Sequence, residues 1–173
     1  MTDNKAAVEP WMRGTYEELP AVLRAVIHAL ELAREDTERW CVHLTDDEWN
    51  LHPQDLAPAA FQVRHIARSI DRLLTYAEGE QLSAEQLEQL KSESEPWAKG
   101  SELLAELDAA LARAYKRIRA FAGSDLEARR VLGRKALPTS VGGLLVHVAD
   151  HTSRHVGQLV ITSKLAIATR GVF

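Results

Sequence analysis

The stretch Leu144–Leu159 carries His147, His151 and His155, three of the seven histidines in the chain. A spacing of four puts all three on one slowly drifting face of a helix. Neutral imidazole is the commonest metal ligand among side chains, and an i,i+4 pair of histidines on a helix can chelate an ion. The helix rise limits how many of the three can act together: neighbours stand about 6 Å apart along the axis and the outer pair about 12 Å. Ligand nitrogens must come within about 2.0–2.1 Å of a zinc-like ion. A site here therefore takes either His147 with His151 or His151 with His155, plus a ligand from another helix. His65, one turn after Phe61 and beside Ile66, edges an apolar helix face and is the candidate for that third ligand.

The elements that must position these rings read as four amphipathic helices. The first starts at Pro20 and repeats Leu23, Val26, Leu30, Ala33, Thr37, Trp40 and Leu44 in steps of three and four, after a Thr15–Glu18 capping box. Pro58 opens a second helix that runs to Glu78, with Gly79 as its terminator. A third, capped by Ser101, carries Leu103, Leu107, Leu111, Ala114, Ile118 and Phe121 and stops at Gly123. The fourth, 141–168, follows Pro138-Thr-Ser140 and holds the histidine stripe. Segments 46–58 and 124–140 read as polar connectors, and 80–99 as a longer one with a short helix over Ser83–Lys91. No segment alternates as a strand should, so the expected fold is an all-α four-helix bundle. Residues 1–14 read as an N-terminal arm tacked down by Trp11 and Met12, and 15–173 as one domain. His28, His43 and His52 are expected in solvent, and Trp49, Trp97 and Tyr115 in the core.

Topology and ligand choice are coupled. His65 lies about 10 Å below the start of the second helix. In an up-down-up-down bundle the fourth helix starts at that same end, which levels His65 with His147 and His151. If the 80–99 connector crosses the bundle, the fourth helix starts at the opposite end and His65 levels with His151 and His155. That connector is far longer than a helical hairpin needs. The crossover form is therefore expected, and with it the pair His151 and His155.

The formal net charge of −4 gives no electrostatic case for nucleic acid or an anionic membrane. The basic residues from Arg129 to Lys135 read as a solvated loop. The single cysteine, Cys41, excludes an internal disulfide and fits a reducing compartment; its apolar neighbours make it a buried hydrophobe. No signal peptide is visible and no apolar run reaches the roughly 20 residues needed to cross a bilayer. A cytoplasmic location is expected.

His65 in the second helix, the run Leu44-Thr-Asp-Asp-Glu48 after the first, and Asp150-His-Thr-Ser-Arg-His-Val-Gly-Gln158 in the fourth resemble the DinB/YfiT-like superfamily of metal-dependent bacterial proteins. The resemblance spans most of the chain. It implies an up-down-down-up bundle holding a divalent metal, zinc or nickel, on His65, His151 and His155. His147 matches a frequent non-ligating histidine one turn earlier, and it and Gln158 are candidates for supporting the ligands. No acidic ligand is found at a matching position, since Asp150 is off the stripe. The superfamily includes S-transferases and isomerases that use low-molecular-weight thiols such as bacillithiol or mycothiol, and its bundles often form homodimers. The resemblance thus implies a thiol cosubstrate and an electrophilic small molecule as partners. Two other functions use the same residues: metal-dependent hydrolysis, which wants a carboxylate general base, and a non-catalytic, metal-binding stress-associated bundle. A metal-free alternative is a polar seam in which Asp150, Thr152, Gln158 and water satisfy the histidines.

Overall fold

A computed structural model describes residues 8–170 of the chain. Four long helices carry the fold: α1 (Ala21–Cys41), α3 (Ala59–Glu78), α5 (Gly100–Ala120) and α6 (Val141–Ala168). Two short ones, α2 (Asp46–Trp49) and α4 (Ala84–Lys91), lie in the connectors. Leu23, Leu30, Ile66, Leu74, Leu107, Leu145 and Leu159, apolar members of the three-and-four-step stripes, are fully buried at the centre. Among the described residues no helix is long and apolar enough to cross a membrane.

The start of α1 departs from expectation. Tyr16 takes a positive φ of 60°, which breaks the helical path, so no capping box forms at Thr15–Glu18 and Pro20 becomes the N-cap instead. The freed Thr15 hydroxyl meets His28 Nε2 at 2.9 Å, and His28 is buried rather than solvated. Tyr16 donates its hydroxyl to Glu31. Residues 1–7 of the expected arm lie outside the described residues. The remainder is held by buried Pro10 and by Arg13, which pairs with Glu35 at 2.5 Å, whereas Trp11 and Met12 face solvent.

The capping-box chemistry appears instead at Thr45–Glu48, where it nucleates α2 inside the expected polar connector. This short helix locks the next connector. Asp46 Oδ1 accepts from the Gly100 amide at 3.1 Å, capping α5 from a distant part of the chain in place of Ser101. Asn50 pairs with the Ala98 backbone in both directions, at 3.0 and 3.1 Å. The Trp49 indole is buried as expected and lies against Gly100, where a Cβ would fall 2.1 Å from its Nε1. Trp97 does not reach the core and is 78% exposed, while Tyr115 is half-buried.

Segment 124–140 is more than a connector. Arg129–Leu132 (β1) and Leu137–Ser140 (β2) form an antiparallel hairpin, with Arg129 opposite Ser140 and Leu132 opposite Leu137. Gly133 and Ala136, both at positive φ, make its turn. Four residues per strand and a proline in β2 leave little alternation to read, which is why the sequence pattern conceals it. The hairpin delivers the chain to Ser140, whose hydroxyl caps α6 by accepting from the Gly143 amide at 3.1 Å.

Specific contacts set how the long helices lie. Cys41 Sγ is 3.7 Å from Ser163 Oγ, and Lys164 stands over the Trp40 ring, so the ends of α1 and α6 are neighbours. Thr162 donates to the Ala57 carbonyl at the entry to α3, while Arg130 donates to the Ala77 carbonyl near its end. Arg68 with Glu106, and Arg117 with Asp71 and Glu78, join α3 to α5, and Arg34 with Asp108 joins α1 to α5.

Gly100 and Gly157 make opposite predictions. Gly100→Ala forces the new methyl into Trp49 and is expected to cost about 1–3 kcal/mol. Gly157, mid-helix in α6, has nothing within 4 Å of an added Cβ, so Gly157→Ala is expected to stabilise by about 0.5–1 kcal/mol. Urea unfolding midpoints of the two variants against the unaltered chain check both signs.

Candidate metal centre

His65 sits in the second turn of α3, whose buried face is Ala59, Val63, Ile66 and Ile70. His151 and His155 flank the α6 stripe of Leu144, Val148, Thr152, Val156 and Leu159. All three rings are therefore half-buried at the seam where α3 and α6 pack. The structure brings them together, with one ligand atom from each lying within 4.8 Å of the others. His65 Nε2 is 2.9 Å from His151 Nε2, and the His155 ring centroid is 4.3 Å from His65 and 4.5 Å from His151.

The outward nitrogens of two rings are engaged. Glu93 Oε2 lies 2.7 Å from His65 Nδ1, and a carboxylate can only accept, which puts the proton on Nδ1 and leaves Nε2 as a lone-pair donor. Gln62 Oε1 is 2.7 Å from His155 Nδ1 and fixes that ring in the same sense. Phe61 stacks on His65, with centroids 5.4 Å apart and planes 13° from parallel.

Burial, then the neighbouring imidazoles His155 and His65, push the His151 pKa down to about 4. Burial, followed by His65 and Arg154, brings His155 to about 4 as well. Both rings are neutral, and so able to ligate, at neutral pH. The Glu93 carboxyl is buried, which alone would raise its pKa; hydrogen bonds from His65 and Arg72, with the Arg72 charge, outweigh burial and hold it below its ordinary value.

His147 stays outside the cluster. Its side chain is 44% exposed, its Nδ1 is 3.7 Å from Asp150, and its ring centroid lies 5.3 Å from His151. Gln158, the other expected support, is exposed and lines a cavity of about 180 Å³ with Leu56, Ala57 and Gln62; the amide that holds a histidine is Gln62. Asp150 is bonded to Arg154 at 2.5 Å. The carboxylate that touches the cluster is Glu93, on a 3-10 turn at Ser92–Ser94 in the long connector. Nothing in the sequence around Glu93 marks it; the residues that hold its turn are Arg64, Arg68 and Arg72, which repeat along α3 at a step of four. Arg72 pairs with Glu93 Oε1 at 2.5 Å, Arg64 donates to the Glu93 and Glu95 carbonyls at 3.1 and 2.7 Å, and Arg68 donates to the Gln89 carbonyl and the Ser92 hydroxyl.

Beside the cluster lies a mainly apolar cavity of about 240 Å³, lined by Ala57, Pro58, Ala60, Phe61, Glu93 and Pro96 among others. A larger cleft of about 680 Å³ between α3, α4 and α5 is lined by Arg68, Asp71, Gln86, Glu106 and Arg113 and does not adjoin the three rings.

A model of the DinB superfamily matches residues 29–159, a span that contains all three clustered histidines, Gln62 and Glu93. The chain belongs to the DinB superfamily. A conserved protein from Enterococcus faecalis, known from a crystal structure, has a similar fold, with a TM-score of 0.70 and 20% identity over 85% of this chain and 98% of that one. No curated protein matches the sequence significantly. In this DinB bundle, then, the cluster of three histidines that could hold a metal ion lies at the α3–α6 seam.

The lowered histidine pKa values fix a sign for pH dependence. The folded metal-free chain binds protons at His151 and His155 only near pH 4, whereas the unfolded chain binds them near the ordinary imidazole value of 6.5. Their contribution is fully present above pH 6.5 and is lost as pH falls through that window toward 4. Urea midpoints in the presence of chelator are expected to drop across it. The His151→Asn/His155→Asn double variant is expected to show a shallower slope; an unchanged slope would sink the assignment.

Proposed function

We propose that this DinB protein holds one divalent ion, zinc or nickel, on His65, His151 and His155, and that it transfers a low-molecular-weight thiol to an electrophilic small molecule. The observation that carries this reading is the convergence of three imidazoles within 4.8 Å, two of them with their outward nitrogens already engaged. The donor set fits such an ion. Ligands about 2.0–2.1 Å from a tetrahedral centre stand about 3.3–3.4 Å from one another, so the 2.9 Å between His65 Nε2 and His151 Nε2 needs only a small adjustment. Three protein ligands are the catalytic pattern, whereas closed structural sites use four.

An ion bound there would supply Lewis-acid chemistry, lowering the pKa of a thiol or water placed beside it toward neutrality. The chain's own part is to orient and shelter. Gln62 and Glu93 hold their rings in the ligating sense, Phe61 packs flat on His65, and the apolar cavity beside Phe61 offers a place for the electrophile's non-polar portion. Hydrolysis is less well supported, because it asks for a carboxylate free to take a proton from water. Glu93 spends one oxygen on His65 and the other on Arg72, and Asp150 is engaged by Arg154.

This reading includes an up-down-down-up course for the bundle. Its support is the neighbouring of Trp40 with Lys164, of Ala57 with Thr162, and of Arg34 with Asp108. A cytoplasmic setting belongs to the proposal because free thiols persist in a reducing compartment. So does the homodimer expected from the superfamily, which light scattering decides.

Elemental analysis is expected to find one equivalent of zinc or nickel in the purified protein, lost in His65→Ala, His151→Ala and His155→Ala and kept in His147→Ala. Retention of the metal by His151→Ala would defeat the site. Incubation of the metal-loaded protein with a panel of thiols and electrophiles should form thioethers, seen by mass spectrometry. Full metal loading with no turnover on any pair would favour the non-catalytic bundle.

A further inference from the structure

Glu93 is only 4% exposed, on a turn far in sequence from either helix of the cluster. A buried carboxylate is tolerable when paired, and Arg72 at 2.5 Å would suffice for that. Its second oxygen, however, is turned on His65 Nδ1 at 2.7 Å rather than on a backbone amide. A carboxylate in this position fixes the ring's tautomer and orientation and raises the basicity of the opposite nitrogen. Arg72 takes the other oxygen, so it keeps the carboxylate ionised without competing for His65. The three rings are thereby unequal: His155 leans on the neutral Gln62 amide, and His65 on an anion.

The turn that carries Glu93 is fastened to the same helix as His65. Arg64 grips its carbonyls at Glu93 and Glu95, and Arg68 grips the Gln89 carbonyl and the Ser92 hydroxyl. Glu93, Ser94, Glu95 and Pro96 also wall the apolar cavity, whose Phe61 stacks on His65. One turn thus touches a candidate ligand on one side and the cavity on the other.

We propose that Glu93 is a positioning residue of the metal centre, acting through His65, and that ion occupancy is thereby coupled to the order of the 92–96 turn beside the cavity. The proposal rests on the metal reading above. Coupling of this kind is reciprocal, so whatever orders the turn also tightens the ion.

The test uses the full-length chain, chelator-stripped and titrated with zinc against a chromophoric competitor, and with cobalt to read ligand geometry from its visible spectrum. Glu93→Ala is expected to weaken zinc binding by about 10- to 100-fold, and Glu93→Gln, which keeps an acceptor but not the charge, by less. The cobalt spectrum should change in both, while Gln158→Ala should match the unaltered chain. Zinc should slow amide exchange over 92–96 in the unaltered chain and not in Glu93→Ala. Because Glu93→Ala strands the Arg72 charge, the Arg72→Gln/Glu93→Gln pair removes both charges and carries the test if the single variant does not fold. Unaltered zinc affinity in a folded Glu93 variant, or zinc-independent exchange at 92–96 in the unaltered chain, would overturn this proposal and leave the three-histidine site standing. An unaltered chain that binds neither zinc nor nickel would overturn both.

Discussion

Three imidazoles from two helices meet only if those helices keep one axial register. A slip of a single turn displaces a ring by about 5.4 Å, more than the 4.8 Å within which the cluster's ligand atoms all lie. Apolar packing alone specifies that register loosely, because a stripe of leucines, valines and alanines can repack after a shift. The polar ties at the ends of α3 supply the rest. Thr162 of α6 reaches the carbonyl of Ala57 at one end, and Arg130, on the hairpin that feeds α6, reaches the carbonyl of Ala77 at the other. The hairpin is consequently a positioning device: it sets where α6 begins, with Ser140 as its cap, and so at what height His151 and His155 arrive.

The long connector has a comparable role from the other side. It is far too long for a simple turn, and ordering it costs conformational entropy that its contacts must offset. It is tied at every few residues. Ser83 and Gln86 close a capping box, three arginines of α3 hold Gln89 through Glu95, and Asp46 and Trp49 clamp its exit at Gly100. The Leu44–Glu48 run, one of the features shared with the superfamily, thereby acquires a physical meaning. It forms α2, whose residues fasten the connector and cap α5.

Much of this was legible where local chemistry decides the outcome. Pro58 and Gly79 bound α3 as written, Gly79 because its φ of 91° suits no other residue so well, and Ser140 opens α6. The height comparison that pairs His65 with His151 and His155 needs only helix rise and connector length. Where tertiary partners decide, the chain was silent. Thr15–Glu18 and Thr45–Glu48 are the same local motif, yet only the second forms, because positive φ at Tyr16 and the claim of His28 on Thr15 outbid the first. Glu93 lies in a polar stretch with no periodicity, and nothing local marks it as buried. Its position follows from Arg72, which in sequence reads as a solvated charge.

The same partners bear on whether the histidines are a polar seam rather than a ligand set. A seam would satisfy each ring with neighbouring side chains, and the three expected in that role, Asp150, Thr152 and Gln158, make no hydrogen bond to the clustered rings among the described residues. Asp150 faces Arg154, Gln158 is exposed, and the Thr152 hydroxyl is buried with no partner among the described residues. The supports that are present, Glu93 and Gln62, take Nδ1 of His65 and His155 and so direct Nε2 of both rings inward. Between His65 Nε2 and His151 Nε2 one proton at most can be shared, and charging His151 or His155 is disfavoured by their burial and mutual proximity. A neutral His151 can donate that proton to His65 Nε2 at 2.9 Å, so in the metal-free chain this pair is an ordinary hydrogen bond that an ion would replace. What favours the metal reading is that Glu93 and Gln62 take Nδ1 of two rings and that one ligand atom from each of the three lies within 4.8 Å of the others.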